Sequence, residues 1–207
     1  MTERRIVHVV DDEDSIRRST SFMLKTSGYR VATFASGAAF LRELKHLEPG
    51  CVLLDIRMPD IDGLRVQEAM IERGVTMPIV FLTGHGDVAT AVKVMKRGAV
   101  ELIEKPFQKE AVLAALDQGF ERLGEHRLRD LRAQEARLLV AGLSARERQV
   151  LRGLVHGLAN KAIGLELGIS PRTVEVHRAN LMVKFGVHTL SEALRIGFAA
   201  GVDRSDS

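Results

Sequence analysis

Residues 6–14 read Ile6-Val7-His8-Val9-Val10-Asp11-Asp12-Glu13-Asp14. A mostly β-branched run that breaks directly into acidic residues describes a buried strand delivering carboxylates at its end. Working outward, the same alternation continues. Ser15–Thr26 reads as a helix with Ile16, Thr20, Met23 and Leu24 on one side, Tyr29–Phe34 as a strand and Ala38–His46 as a helix. Cys51–Leu54 is a third strand, stopped by Asp55 and by Met58-Pro59; Leu64–Arg73 is helical and Pro78–Leu82 a strand. Val88–Arg97 is helical, Val100–Ile103 is a strand, and a helix begins after Lys105-Pro106. Strands apolar throughout, each followed by a helix, predict a doubly wound, five-stranded parallel α/β sheet covered on both faces. Ligands of such sheets sit at the carboxyl ends of the strands.

The chain has 207 residues, 45% hydrophobic and 28% charged, too apolar for wholesale disorder and long enough for two small domains. No apolar run approaches the roughly 18–20 residues of a membrane span, and Ile6–Val10 is too short for a signal peptide. A single cysteine, Cys51, excludes a disulfide framework and a Cys-rich zinc site, and in a buried strand it reads as a core thiol. These features lead to the expectation of a cytoplasmic chain with no membrane partner. The net charge of +3 is uneven: residues 1–123 carry 17 Lys and Arg against 18 Asp and Glu, residues 124–207 carry 13 against 9. Only the C-terminal part is basic, which is where a polyanion partner is sought.

Past Gln108 the helical pattern continues. Leu113, Leu116, Phe120 and Leu123 form a seam, and the charge-rich Gly124–Arg137 contains no proline, so residues 124–142 are expected to be a helical linker. Arg127, Arg129 and Arg132 read as a solvated face, with a DNA or interdomain role left open. Four short helices follow, Ala145–His156, Asn160–Leu167, Pro171–Phe185 and Leu190–Ala200, with Gly157, Gly168 and Gly186 at C-cap positions. This makes a smaller all-α domain over residues 143–207, with the first domain at residues 1–123.

Asp11 and Asp12 end the first strand, Asp55 the third, Thr83 the fourth and Lys105 the fifth. Clustered carboxylates need a cation, and an all-oxygen set suits Mg²⁺. Metal, ammonium, hydroxyl and carboxylate together describe a site where an oxyanion is transferred onto the carboxylate. Asp11-Asp12, Asp55 with Met58-Pro59 and Gly63, Thr83-Gly84 and Lys105-Pro106-Phe107 together resemble a response-regulator receiver domain, a flavodoxin-like fold. The resemblance covers about residues 4–123. It implies that Asp55 accepts a phosphoryl group from a sensor histidine kinase, that Thr83 and Lys105 contact this group, and that Mg²⁺ is held by Asp12, Asp55, the carbonyl of Arg57 and, through water, Asp11. Leu102 stands where the family often carries Phe or Tyr, so leucine repacking would replace an aromatic switch.

In the C-terminal part Ser144 with Glu147 makes a capping box. Asn160-Lys161-Ala162-Ile163, Gly168-Ile169-Ser170-Pro171-Arg172-Thr173-Val174 and His177 follow in the order of a LuxR-type helix-turn-helix. The whole chain resembles the NarL/FixJ subfamily of response regulators, in its FixJ-like branch, which implies a transcription factor acting on double-stranded promoter DNA, with RNA polymerase as a further partner. On the helix Pro171–Phe185, Val174, Leu181 and Phe185 fall within about 40° of one another and form the core stripe. Arg172, Glu175, Val176, Ala179 and Val183 lie opposite, toward the major groove. Thr173, Asn180 and Lys184 line one edge and Arg178 the other, within reach of phosphates, and Lys161 adds a further phosphate contact. The helix Val88–Lys96 has more apolar positions than one core face needs, and the family dimerises there on phosphorylation. A homodimer face is therefore expected around Val92 and Lys96, extended by Leu116, Phe120 and Leu123. The reading is not an enzyme; the rival readings are a metal-dependent phosphatase or phosphotransferase with Asp55 as nucleophile, and a receiver acting only as a docking switch.

Overall fold

The computed structural model describes residues 5–84 and 88–204. Two compact units divide the chain, Met1–His126 and Arg127–Ser207. In the first, strands β1 (Ile6–Val10), β2 (Arg30–Phe34), β3 (Cys51–Asp55), β4 (Ile79–Thr83) and β5 (Glu101–Glu104) alternate with helices α1 (Asp14–Thr26), α2 (Gly37–Glu43), α3 (Gly63–Glu72) and α4 (Val88–Lys96). Helix α5 (Lys109–Ala141) follows, its residues up to His126 belonging to this unit. The strands pair in parallel in the order β2-β1-β3-β4-β5, the doubly wound arrangement.

Every residue of β3 and β4 is buried, as strands covered on both faces must be. The pleat sorts their side chains into two cores. Val52 and Leu54 join Phe40, Val66, Met70 and Phe81 on one face, while Cys51 and Leu53 join Leu24, Val80, Val112 and Leu116 on the other. Val9, Leu53 and Ile103 belong to that second face; counting on by two, so do the positions of Asp11, Asp55 and Lys105. Most boundaries differ from expectation by one residue, and two of the differences have a clear physical reason. The second helix ends at Glu43 and tightens into a 3-10 turn, Leu44–His46, as helix ends often do. Pro78 stays outside β4 because it has no N–H for the ladder, although its carbonyl accepts from Val52 at 2.9 Å.

Two of the three residues expected to extend a dimer face along α5 are engaged within the chain. Leu116 is fully buried in the core. Phe120 stacks on Tyr29 with ring centroids 5.8 Å apart, and the Arg5 guanidinium lies 5.0 Å from its centroid. This stripe covers the chain's own sheet. Cys51 is a buried core thiol, its pKa pushed up to about 12 by burial.

The second unit contains α6 (Ala145–Val155), α7 (Asn160–Leu167), α8 (Pro171–Phe185) and α9 (Leu190–Ala200) around Val150, Leu151, Ile163, Val174, Leu181 and Ala193. Ser144 and Glu147 cap α6 reciprocally, and Thr189 with Glu192 does the same for α9. Gly168 and Gly186 end α7 and α8 at φ 65° and 67°, a left-handed conformation that a side chain would strain. Ser170 caps α8 and Pro171 opens it, so a three-residue turn joins two short helices. Among the described residues no helix is long and apolar enough to cross a membrane.

Candidate functional site

The strand ends bring charge into the first unit's interior. Asp11 is fully buried after β1, Asp55 is 4% exposed at the end of β3 and Thr83 is 2% exposed at the end of β4. Lys105 follows β5 on the amino side of a cis peptide bond to Pro106, and its N–H donates to the Thr83 carbonyl at 2.7 Å. Its ammonium lies 2.6 Å from Asp11 Oδ2 and 2.7 Å from Asp55 Oδ1, with Glu13 Oε1 at 3.6 Å. Burial pushes the Asp55 carboxyl above the ordinary carboxylate range, only partly offset by Lys105. Burial also works against the ammonium, but its hydrogen bonds to Asp11 and Asp55 prevail and hold its pKa above the ordinary lysine value. A single cation thus serves two buried carboxylates on neighbouring strands.

Gly63 opens α3 directly beneath this site. Its N–H donates to the Ile56 carbonyl at 2.8 Å, and a Cβ there would run into the Asp55 carbonyl oxygen. The backbone carrying Asp55 can pass so close only because position 63 has no side chain. Asp12 is exposed at the rim, as is the side chain of Arg57. Leu102, half-buried, packs with the core on the other face of the sheet.

Among the described residues no three His, Cys, Asp or Glu side chains are already gathered as a metal cage. The donors at the strand ends are nonetheless all hard oxygens, and Asp11 and Asp55 already share one cation, the Lys105 ammonium. A few carboxylates, a carbonyl and water suit Mg²⁺, which keeps several of its waters; the donor set fits. One residue of the site was not foreseen. Arg17 Nη1 donates to the carbonyls of Asp11 (2.8 Å) and Asp12 (2.7 Å), and Nη2 to Asp14 Oδ1 (3.0 Å). The available signal was its place in the first turns of a helix that starts at the acidic run.

In the second unit α8 is oriented as its periodicity predicts. Val174 and Leu181 are fully buried and Phe185 nearly so, while Arg172, Glu175, Val176, Ala179, Asn180 and Val183 are exposed. Lys161 is exposed near the start of α7. Arg178 is half-buried and donates to Asn160 Oδ1 at 3.1 Å, tying α8 to the first residue of α7. Thr173 shares a 2.8 Å hydroxyl contact with Ser170 inside the N-cap. Lys184 has a partner that its position on α8 does not foretell: its ammonium is 2.6 Å from Glu147 Oε2, bracing α8 against α6. That carboxylate is buried while the Lys184 side chain is 44% exposed, so the lysine braces the bundle from its surface. The pair spans 37 residues, and no local pattern announces it.

Comparison with known proteins agrees with both halves. Residues 7–117 match the response regulator receiver domain, and residues 141–196 match the bacterial regulatory proteins of the luxR family. The chain is 46% identical over 206 residues to the transcriptional regulatory protein FixJ of Azorhizobium caulinodans, covering 100% of this chain and 98% of the relative. It is 42% identical over 195 residues to FixJ of Rhizobium meliloti, covering 94% and 96%. Full-length FixJ from B. japonicum is similar in structure, with TM-score 0.60 at 42% identity, covering 97% of this chain and 98% of that one. The response regulator StyR gives TM-score 0.73 at 38% identity, covering 94% and 98%. The chain belongs to the response regulators that join a receiver domain to a luxR-family DNA-binding domain and act as transcriptional regulatory proteins.

Proposed function

We propose that Asp55 is the phosphoryl acceptor of this regulator, that a sensor histidine kinase is the donor, and that the phosphorylated chain dimerises and binds promoter DNA. The observation carrying this is the Lys105 ammonium shared by the buried Asp11 and Asp55 carboxylates at 2.6 and 2.7 Å. A carboxylate that burial disfavours as an anion sits against a cation able to stabilise charge gathered on a phosphoryl group. An Asp55 oxygen attacks the phosphorus of the kinase's phosphohistidine; the P–O bond forms as the P–N bond breaks, and the imidazole leaves with the electron pair. Lys105 turns from Asp55 to a phosphoryl oxygen, while Asp11 keeps it in place, and Thr83 provides a hydroxyl at the neighbouring strand end. Mg²⁺, held by Asp12, Asp55, the Arg57 carbonyl and, through water, Asp11, would neutralise negative charge as the bond forms.

The domain division that goes with this function is a receiver over residues 1–123, a helical linker over 124–142 and a DNA-binding domain over 143–207. The dimer face is α4, where Val92 and Met95 are 46% and 42% exposed while Val94 is fully buried. The DNA face is the exposed side of α8, Arg172, Glu175, Val176 and Ala179, with Asn180, Arg178, Thr173 and Lys161 at its edges. We place the chain in the cytoplasm and among regulators that meet RNA polymerase at a promoter. A gel shift of full-length protein on promoter DNA, with and without acetyl phosphate and Mg²⁺, tests the reading: binding should rise with the phosphodonor and fall back in Asp55→Asn. Binding identical in all conditions overturns the phosphoryl switch. Turnover of a small phosphate ester by this chain would favour the enzyme reading instead.

A further inference from the structure

We propose that Arg17 is a positioning residue that holds the Asp11–Asp12 turn in the shape that takes a divalent cation, a role resting on the reading of Asp55 as acceptor. The turn between β1 and α1 carries Asp11, Asp12, Glu13 and Asp14 in succession, and self-repulsion should splay it. The ordinary device for fixing such a turn is missing, because the N-cap of α1, Glu13, makes no side-chain capping hydrogen bond. One guanidinium takes its place. Arg17 Nη1 binds two consecutive carbonyls, those of Asp11 and Asp12, and Nη2 binds the Asp14 carboxylate, which Arg18 also contacts at 2.5 Å. The Arg17 side chain is only 15% exposed, so this is a packed fork and not a surface ion pair. The Glu13 N–H donates to Asp11 Oδ1 at 2.9 Å from the other side of the turn.

The consequences are geometric and electrostatic. With both carbonyls held by Arg17, the Asp11 and Asp12 peptide planes are fixed, and with them the direction of the Asp12 carboxylate at the rim. The guanidinium also places a positive charge beside the acidic run. A lysine keeps the charge but lacks the fork that reaches two carbonyls and a carboxylate together.

The experiment uses the full chain. Asp55 labelling by acetyl phosphate is followed against Mg²⁺ concentration, and Mn²⁺ binding is measured without phosphodonor from the free-ion electron paramagnetic resonance signal. Arg17→Gln should raise the Mg²⁺ midpoint and weaken Mn²⁺ binding about 10-fold, the usual scale for losing a partner that orients a metal ligand. Labelling at saturating Mg²⁺ should reach the wild-type level. Arg17→Lys should also shift the midpoint, by less. A wild-type midpoint in Arg17→Gln overturns the proposal, and so does one in Arg17→Lys, since charge alone would then suffice. An unshifted midpoint with lower maximal labelling overturns it too. Should Arg17→Gln fail to fold, the lysine variant still decides. The Mn²⁺ measurement needs no phosphoryl transfer, so failure of Asp55 as acceptor, seen as labelling that survives Asp55→Asn, is read separately.

Discussion

The two units each set a lysine against buried carboxylate, and use it in opposite ways. In the receiver, Lys105 lies between Asp11 and Asp55, and burial leaves the Asp55 carboxyl harder to ionise than usual. In the DNA-binding bundle, Lys184 meets Glu147, whose carboxylate also accepts the Ser144 N–H, and its pKa is lowered to about 2. The first arrangement leaves a carboxylate under-stabilised at the functional end of a sheet, open to a change of partner. The second gives its carboxylate both an N–H and an ammonium, and the DNA face proposed on α8 contains no buried charge. Reactivity and stability are therefore separated by how well a buried acid is paired, more than by whether it is buried.

The sharpest way to break this contrast is Asp55→Asn. Labelling by acetyl phosphate should disappear, because an amide is a poor nucleophile, while the receiver should melt at a higher temperature at neutral pH. The sign follows from the raised pKa: above its folded-state pKa the ionised carboxylate costs stability, and the neutral amide removes that cost. Calorimetry of the full chain beside the labelling assay checks both. Lost labelling with a lowered melting temperature would mean that Asp55 holds the fold together as Glu147 does, and the distinction would fail.

Glu175→Ala asks the second region for its own function without touching a buried charge. It should alter base preference at one operator position by roughly 1–3 kcal/mol and leave the melting of the bundle unchanged. Footprinting over operator variants reads the first and calorimetry the second. A uniform loss across all operators would mean that α8 enters the groove by another face.

Most of this architecture is legible in the chain because short periodicities carry it. The β-branched Ile6–Val10 ends in Asp11, and the pleat places Asp11, Asp55 and Lys105 in rows continuing Val9, Leu53 and Ile103. The stripe Val174, Leu181, Phe185 likewise fixes how α8 turns. What is not legible depends on partners far along the chain. The spacing of Leu116 and Phe120 reports a stripe but not what covers it, and Tyr29 and Arg5 cover Phe120 from 91 and 115 residues away. Lys184 looks like a free cation until Glu147 is brought to it. Arg17 was hidden differently: besides Asp14, its partners are main-chain carbonyls, which leave no mark in residue identity.

The two lysines of the bundle offer a way to tell a phosphate contact from a strut. Both are exposed, but Lys184 is also paired with the buried Glu147 carboxylate. Lys161→Ala should weaken binding to all sequences alike and flatten the salt slope by about one unit, as loss of one phosphate contact does. Lys184→Ala should leave that slope in place and lower the melting temperature, because it strands a buried carboxylate. Affinity titrations over a range of salt decide between them. Equal loss of slope in both variants would return Lys184 to the DNA and leave Glu147 a capping residue alone.

The smallest expected effect is the pH dependence of that strut. The Lys184 ammonium first, and then the Ser144 N–H, hold the Glu147 carboxyl at about 2 against an ordinary value of 4.5. A depressed pKa means that the ionised form is favoured by folding. The contribution is therefore complete above the unfolded value near 4.5 and fades as pH falls through about 2. Amide exchange in α6 and α8 of the full chain, followed from neutral pH into that window, should show protection falling in the wild type beyond what the intrinsic exchange rate explains. In Glu147→Gln protection should be lower at neutral pH and flatter on acidification, since an amide can accept the Ser144 N–H but cannot pair with an ammonium. A Glu147→Gln bundle whose protection matches the wild type at neutral pH would show that Lys184 and Glu147 meet without stabilising anything. The contrast with Lys105 would then rest on the receiver alone.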